Sequence, residues 1–141
     1  MKLALFGLVA VMAAFLIYVR FGPEDVSVYH RIPVAGDVDD VQAIGGFIAR
    51  RDATASQASH LDKIIQNSPR TERISGSIEE GLVTYRSRTR WIGFPDYINL
   101  AFGGGEIIIE GRLRFGRSDI GVNRKRIESW LEAAGLLTQA P

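Results

Sequence analysis

No cysteine occurs among the 141 residues, which excludes disulfides, thiolate zinc sites, a thiol nucleophile and lipid attached through sulfur. No charge sign dominates either. With 17 Lys and Arg against 16 Asp and Glu the formal net charge is +1, which speaks against a dedicated nucleic-acid binder. Low-complexity tracts and internal repeats are missing, and a hydrophobic share of 46% rules out wholesale disorder. Histidine is scarce: His30 lies in an irregular stretch and His60 in a helix, both read as surface residues. No Ser-His-Asp set is legible and no catalytic residue is assigned. Cofactor and metal motifs are lacking. Asp37, Asp39 and Asp40 begin like a calcium loop, but Val41, Gln42 and Ile48 stand where a ligand, a glycine and a glutamate belong. Gly103 to Gly105 lack the Lys-Ser/Thr of a phosphate loop and read as a turn.

A long apolar run is present. Leu3 to Val19 is uncharged, holds ten Leu, Ile, Val or Phe residues and is flanked by Lys2 and Arg20. Its 17 residues span roughly 26 Å as a helix, near the lower limit for a bilayer core. Ten such side chains favour insertion by roughly 3 to 6 kcal/mol. The run ends in Ile17-Tyr18-Val19-Arg20-Phe21, which has no small-x-small cleavage pattern. Residues 1–21 therefore read as an uncleaved single-pass transmembrane anchor, and the short amino-terminal tail favours export of the carboxy-terminal domain.

Beyond the anchor the charge is polarised. Residues 22–81 carry ten acidic and six basic groups, and residues 82–126 carry nine basic and four acidic ones. Residues 22–53 read as an irregular covering segment, broken by Pro23, Pro33, Gly36, Gly45 and Gly46, in which only 43–50 could form a short strand. Helical spacing of Ala58, Leu61, Ile64 and Ile65 predicts a helix over 56–67, capped by Ser56 or Ser59. Period-two stretches predict strands over 71–78, 82–91, 97–102 and 106–115. Ile127, Trp130, Leu131, Ala134 and Leu137 mark a closing helix, capped between Ser118 and Asn123. The expected fold is α+β: a two-layer domain over 54–138, with a four-stranded antiparallel meander packed on two helices in the order helix-β-β-β-β-helix.

This assignment puts Arg86, Arg88 and Arg90 on one side of one strand and Arg112 and Arg114 on the equivalent side of another, accompanied by Glu110. Guanidinium groups so placed need water, carboxylates or a bound anion, and their forked donors suit phosphate or carboxylate. The alternative is a solvated face laced with ion pairs to Glu106, Glu110, Asp96 or Asp119. Around the sheet end, Arg117, Asn123 and Arg126 join Asp96 and Asp119 as candidate anion- or partner-binding residues. Asp119 and Asn123 also suit local capping, and Ser118 suits a cap better than a nucleophile.

Those residues fall within two compact motifs, FPDY (Phe94 to Tyr97) and FGRSDIGVNRKR (Phe115 to Arg126), accompanied by RSRTRWIG, EGRLRFG and PRTERISGSIEEGLVTY. Together they resemble the family catalogued as domain of unknown function (DUF) 1499, over about residues 64–131. The family's Ser-Arg-Ser-Arg run before Phe-Gly is replaced here by Gly111-Arg112-Leu113-Arg114, which removes its hydroxyls. The resemblance implies a small domain of bacterial envelope or membrane-associated proteins and supplies no reaction. The expectation is a non-catalytic domain tethered to the bacterial inner membrane through residues 3–19, on the periplasmic side. It would contact a small anion, an anionic lipid or an acidic protein through its arginine face, without cofactor or metal. The alternatives are an envelope enzyme using Asp96 or Asp119 as general base, and a scaffold anchored by Trp91, Phe94 and Trp130.

Overall fold

A computed structural model describes residues 1–36 and 39–137. Asp37 of the calcium-loop-like run and residue 138, the expected end of the domain, lie outside the described residues. The first element is helix α1 (Lys2–Phe21), long and apolar enough to cross a membrane, with Val19 its one buried residue. Gly22 ends it. A Cβ there would lie 2.4 Å from the Tyr18 carbonyl oxygen, so only glycine lets the chain turn off the helix at this point.

The sheet has six antiparallel strands, not four. Strands β1 (Asp40–Ala43), β2 (Gly46–Asp52), β3 (Thr71–Ser77), β4 (Leu82–Arg88), β5 (Pro95–Gly103) and β6 (Glu106–Leu113) lie in the order β1-β2-β6-β5-β4-β3. The two additional strands come from the stretch read as irregular. Their hairpin turns at Ile44 and Gly45, the latter at φ +73°, and β2 pairs with β6 over its whole length. In β2 the apolar Phe47-Ile48-Ala49 is followed by the charged Arg50-Arg51-Asp52 with no period-two alternation, so the pairing partner supplies what the local pattern lacks.

Register sorts the side chains. Phe47, Ala49, Val83, Tyr85, Ile98, Leu100, Ile107 and Ile109 face one side and form the core with helix α3 (Ala55–Gln66) and helix α4 (Val122–Ala133). Leu61 and Ile65 of α3, and Ile127 and Leu131 of α4, are fully buried there, each contributing about 1.5 to 3 kcal/mol. Helix α3 starts at Ala55, one residue before the stretch its periodicity marks. Thr54, not Ser56 or Ser59, caps it, and the Gln57 side chain returns the bond to the Thr54 backbone. Trp130 belongs to this core and donates from Nε1 to Ser68 Oγ at 2.7 Å, so it is no exposed anchor. Strand β4 stops at Arg88, which leaves Arg90 and Trp91 in a loop outside the strand pattern. Leu113 closes β6 half-buried, and Phe115 lies beyond it.

Candidate functional site: the covered arginine face and the sheet end beside the first helix

The opposite sheet face carries two polar rows across the central strands. Arg86, Tyr97 and Arg112 form one, and Thr84, Asn99 and Glu110 the other. Arg114 continues the Arg112 side beyond β6. This face is covered by residues 23–31, which contain a single turn of helix, α2 (Val26–Tyr29), capped by the Asp25 carboxylate on the Ser27 amide.

The cover supplies the counter-charges. Glu24 pairs with Arg86 and accepts from the Tyr97 hydroxyl, and its Oε2 lies 3.7 Å from Arg114. Glu72 pairs with Arg86 from the other side. Arg114 donates to the Pro23 carbonyl at 2.8 Å. Glu110 lies 3.5 Å from both Arg112 and Arg31. The Tyr29 ring stacks on Tyr97 with centroids 3.6 Å apart, and its carbonyl accepts from Asn99 and Arg112. His30 is not a free surface residue: its Nδ1 lies 2.7 Å from Thr84 Oγ1. Since that hydroxyl gives its only proton to Asn99 Oδ1, Nδ1 of His30 is the donor in this pair. Burial and the Glu24 carboxylate push the Tyr97 phenol well above its ordinary value, so it stays a donor.

Arg86, Arg112 and Arg114 thus share a face, but as pairs with in-chain acids and carbonyls. Glu24 and Tyr29, which engage them, and Thr84 and Asn99, which bond to His30 and the Tyr29 carbonyl of the cover, were not singled out in the sequence, because their roles depend on a cover that bears no local signal. Arg88 stands apart at the end of the same face. Its Nη1 donates to the Gly93 carbonyl at 3.0 Å. Arg20 from the end of α1 reaches the same turn, where a Cβ on Gly93 would meet its Nη1 at 2.7 Å. Among the described residues neither Arg20 nor Arg88 has a carboxylate within 4.0 Å. Burial pulls Arg88 below the usual guanidinium value, and the charges of Arg86 and Arg20 add to it against the opposing pull of Glu24. Arg90 is exposed and lies over the Trp91 ring at 5.0 Å, and Arg117 is exposed on the neighbouring loop.

Next to this turn lies a largely apolar cavity of about 470 Å³. Phe15 of α1 forms part of its wall with Phe94, Leu113 and Phe115, and Ile120 and Val122 stand at its rim. Edge-on contacts join Phe15 to Phe94 at 6.4 Å and Tyr18 to Phe115 at 6.5 Å between centroids.

Two carboxylates line the cavity with opposite characters. Asp119 accepts from the Gly121 amide at 3.0 Å and the Asn123 amide at 2.9 Å, which satisfies the start of α4. Burial would raise its pKa, but those amides outweigh burial and hold it below the usual carboxylate range. Asp96 is 1% exposed, and its Oδ2 accepts from Arg126 at 3.1 Å. Burial raises its pKa against the pull of Arg126, and the charge of Asp119 adds to the rise. The Asn123 amide also pulls Asp96 down, yet no hydrogen bond of ordinary geometry reaches Asp96 Oδ1 or Asn123 Nδ2. Asn123 Oδ1 accepts from Arg126 at 3.0 Å. Among the described residues no group of three Asp, Glu or His side chains gathers to hold a metal.

A family model describing proteins of unknown function, DUF1499, matches residues 23–133. The chain belongs to the DUF1499 family. A search of curated proteins gave no match. The matched stretch begins next to Glu24, so the cover of the sheet is part of the DUF1499 domain and α1 precedes it.

Proposed function

We propose that this DUF1499 protein is a non-catalytic domain tethered by α1 to the bacterial inner membrane, facing the periplasm and contacting anionic phospholipid headgroups. The contact is made by Arg20, Arg88 and Arg90 at the sheet end. The middle of the arginine face is occupied by Glu24, Glu72 and Glu110. The observation that carries the reading is the convergence of Arg20 and Arg88 on the Gly93 turn without a carboxylate, beside Trp91, which is 86% exposed. Depth supports it. An apolar run of roughly 26 Å against a hydrocarbon core of about 30 Å leaves Val19 at the hydrocarbon boundary. Arg20, one residue past Val19, and the Gly93 turn it reaches then lie at headgroup level, where Trp and Arg are favoured and each cation near an anionic surface contributes about 1 kcal/mol.

The test uses the full chain in nanodiscs containing brominated lipid, with Trp91 as reporter and the core Trp130 as background. Quenching should be stronger with phosphatidylglycerol than with phosphatidylcholine alone, and Arg88→Glu with Arg90→Glu should abolish the difference. Equal quenching in the two lipids would overturn the reading.

A second reading, an enzyme acting on an anionic substrate, is favoured by one observation. The surroundings of Asp96 and Asp119 push their pKa values apart, as acid and base pairs require. Asp96 would then be the base, because Asp119 is committed to backbone amides. Turnover of p-nitrophenyl phosphate that Asp96→Asn abolishes without lowering the melting temperature would replace the first reading by this one.

A further inference from the structure

Ile120 adopts a φ of +51°, a backbone conformation that a β-branched residue keeps only where its surroundings fix it. They do so from both sides. The Ile120 amide lies 3.3 Å from Ser118 Oγ, and the Asp119 carboxylate accepts from the Gly121 and Asn123 amides that follow. An aliphatic side chain is thereby held outward, 90% exposed, with Val122 also exposed beside it. Both residues line the apolar cavity of about 470 Å³ whose wall includes Phe15 of α1. The depth of this cavity follows from α1. With Val19 at the hydrocarbon boundary, Phe15 lies four residues, or roughly 6 Å, inside it, and helical side chains lean further toward the amino terminus. The Phe94 ring is 6.4 Å from the Phe15 ring, so a separation directed wholly along the membrane normal would bring it no higher than the boundary. Phe115 stays with it, 6.2 Å from Phe94 and 6.5 Å from Tyr18.

We propose that the turn from Ser118 to Val122 is a second membrane contact, which inserts Ile120 into the acyl-chain region of the leaflet beside α1. The inference rests on the reading that α1 spans the bilayer, and it adds a submerged apolar tip to the headgroup contact. The partner is lipid hydrocarbon because a residue of the apolar helix shares the cavity at whose rim Ile120 stands. The chemistry of the turn agrees. Isoleucine is among the side chains whose transfer into a bilayer is favourable. No bare charge enters with it, since Asp119 is 7% exposed and committed to backbone amides. Arg117, three residues earlier, is exposed and long enough to keep its guanidinium among the headgroups while its stem lies against hydrocarbon. The cavity behind the turn then faces acyl chains, which its aromatic and aliphatic lining suits better than water.

Because the chain has no cysteine, a single introduced thiol can carry a nitroxide label. Full-length Ile120→Cys, labelled and reconstituted in vesicles of phosphatidylcholine alone, is compared for collision with oxygen, which concentrates in hydrocarbon, and with a water-soluble nickel chelate. Val11→Cys, midway along α1, marks the bilayer interior. Glu80→Cys marks water, since it lies in the exposed hairpin at the other end of β4, roughly 23 Å from the Gly93 turn. Oxygen collisions should exceed nickel collisions at 11 and at 120, with the larger excess at 11, and the order should reverse at 80. Val122→Cys gives the same reading if Ile120→Cys does not fold. Nickel exceeding oxygen at 120 while 11 is immersed overturns the proposal and leaves the anchor standing. Exclusion of both reagents at 120 also overturns it, because a second copy of the chain would then cover the turn. Nickel exceeding oxygen at 11 as well would overturn the anchor, and the proposal with it. Immersion at 120 in this uncharged lipid, together with Trp91 quenching that ignores lipid charge, would overturn the headgroup reading alone.

Discussion

Replacing Glu24 by Gln keeps the shape of the side chain that ties the cover to the sheet and removes its charge. In the native arrangement Glu24 answers Arg86 and Arg114 and accepts from Tyr97, with its side chain 13% exposed. Removing one partner from a fully buried ion pair costs roughly 3 to 5 kcal/mol. Several features reduce that figure here. Arg86 keeps Glu72, Arg114 keeps the Pro23 carbonyl, and the amide oxygen of Gln can still accept one bond. About 2 kcal/mol is a reasonable net loss, comparable to a hydrogen bond to a charged group. The cover can also lift without unfolding the core, because its contacts are to the polar face and the two packed helices lie on the other. The loss should therefore appear as local opening. The His30 amide, bonded to the Val26 carbonyl at 2.8 Å, is a suitable reporter. Hydrogen exchange at residues 26–31 should quicken by roughly 30-fold, the equivalent of 2 kcal/mol, while amides of β5 and β6 remain as protected as before. Unchanged exchange at His30 would show that Glu24 does not hold the cover down, and equal loss in β5 would show that the cover is part of the global folding unit.

Asp119→Ala should remove both backbone bonds at the start of α4 and destabilise the domain by about 1 to 2 kcal/mol in urea titration. Because the folded Asp119 pKa lies below its unfolded value, its contribution is present above that unfolded value and is lost as pH falls through the folded one. The variant should accordingly show a shallower loss of stability on acidification below about pH 4. For Asp96 the sign is opposite: its raised pKa favours the folded state when protonated, and that contribution fades as pH rises through the folded pKa. Arg126→Ala removes the ion pair that restrains this rise, so the carboxyl carbon of Asp96, followed by NMR, should titrate higher than in the unaltered protein. Gly111→Ala would bring a Cβ within 2.7 Å of Asn123 Oδ1 and press α4 off the sheet, at a cost of about 1 to 3 kcal/mol in chemical denaturation. Gly104→Ala meets open space, and only its φ of +62° opposes it, by about 1 kcal/mol.

Much of the architecture was legible because it rests on local periodicity. The uncharged run to Val19, the period-two stretches from Thr71 to Leu113 and the apolar stripe of Leu61 and Ile65 each state their element without help from elsewhere. The shared side of Arg86, Arg112 and Arg114 followed from that alternation, and the capping character of Asp119 from its residue type beside a turn. Other features carry no local signature. Strand β2 forms because the free edge of β6 offers hydrogen bonds to it, and the short strand β1 pairs in turn with β2. Where Glu24 comes to rest, and that it and its neighbours neutralise a face which strand alternation alone leaves exposed, depends on a segment folding back across the sheet from more than 60 residues away in sequence. The meeting of Arg20 with the Gly93 turn, and of Phe15 with Phe94, likewise joins the end of α1 to a loop over 70 residues later. Periodicity decides which side of its own element a residue occupies, and long-range packing decides what that side meets. The sequence by itself determined the anchor-like helix, the α+β class and the family resemblance. The tertiary structure decided which arginines are already answered, and that Asp96 and α1 share a cavity.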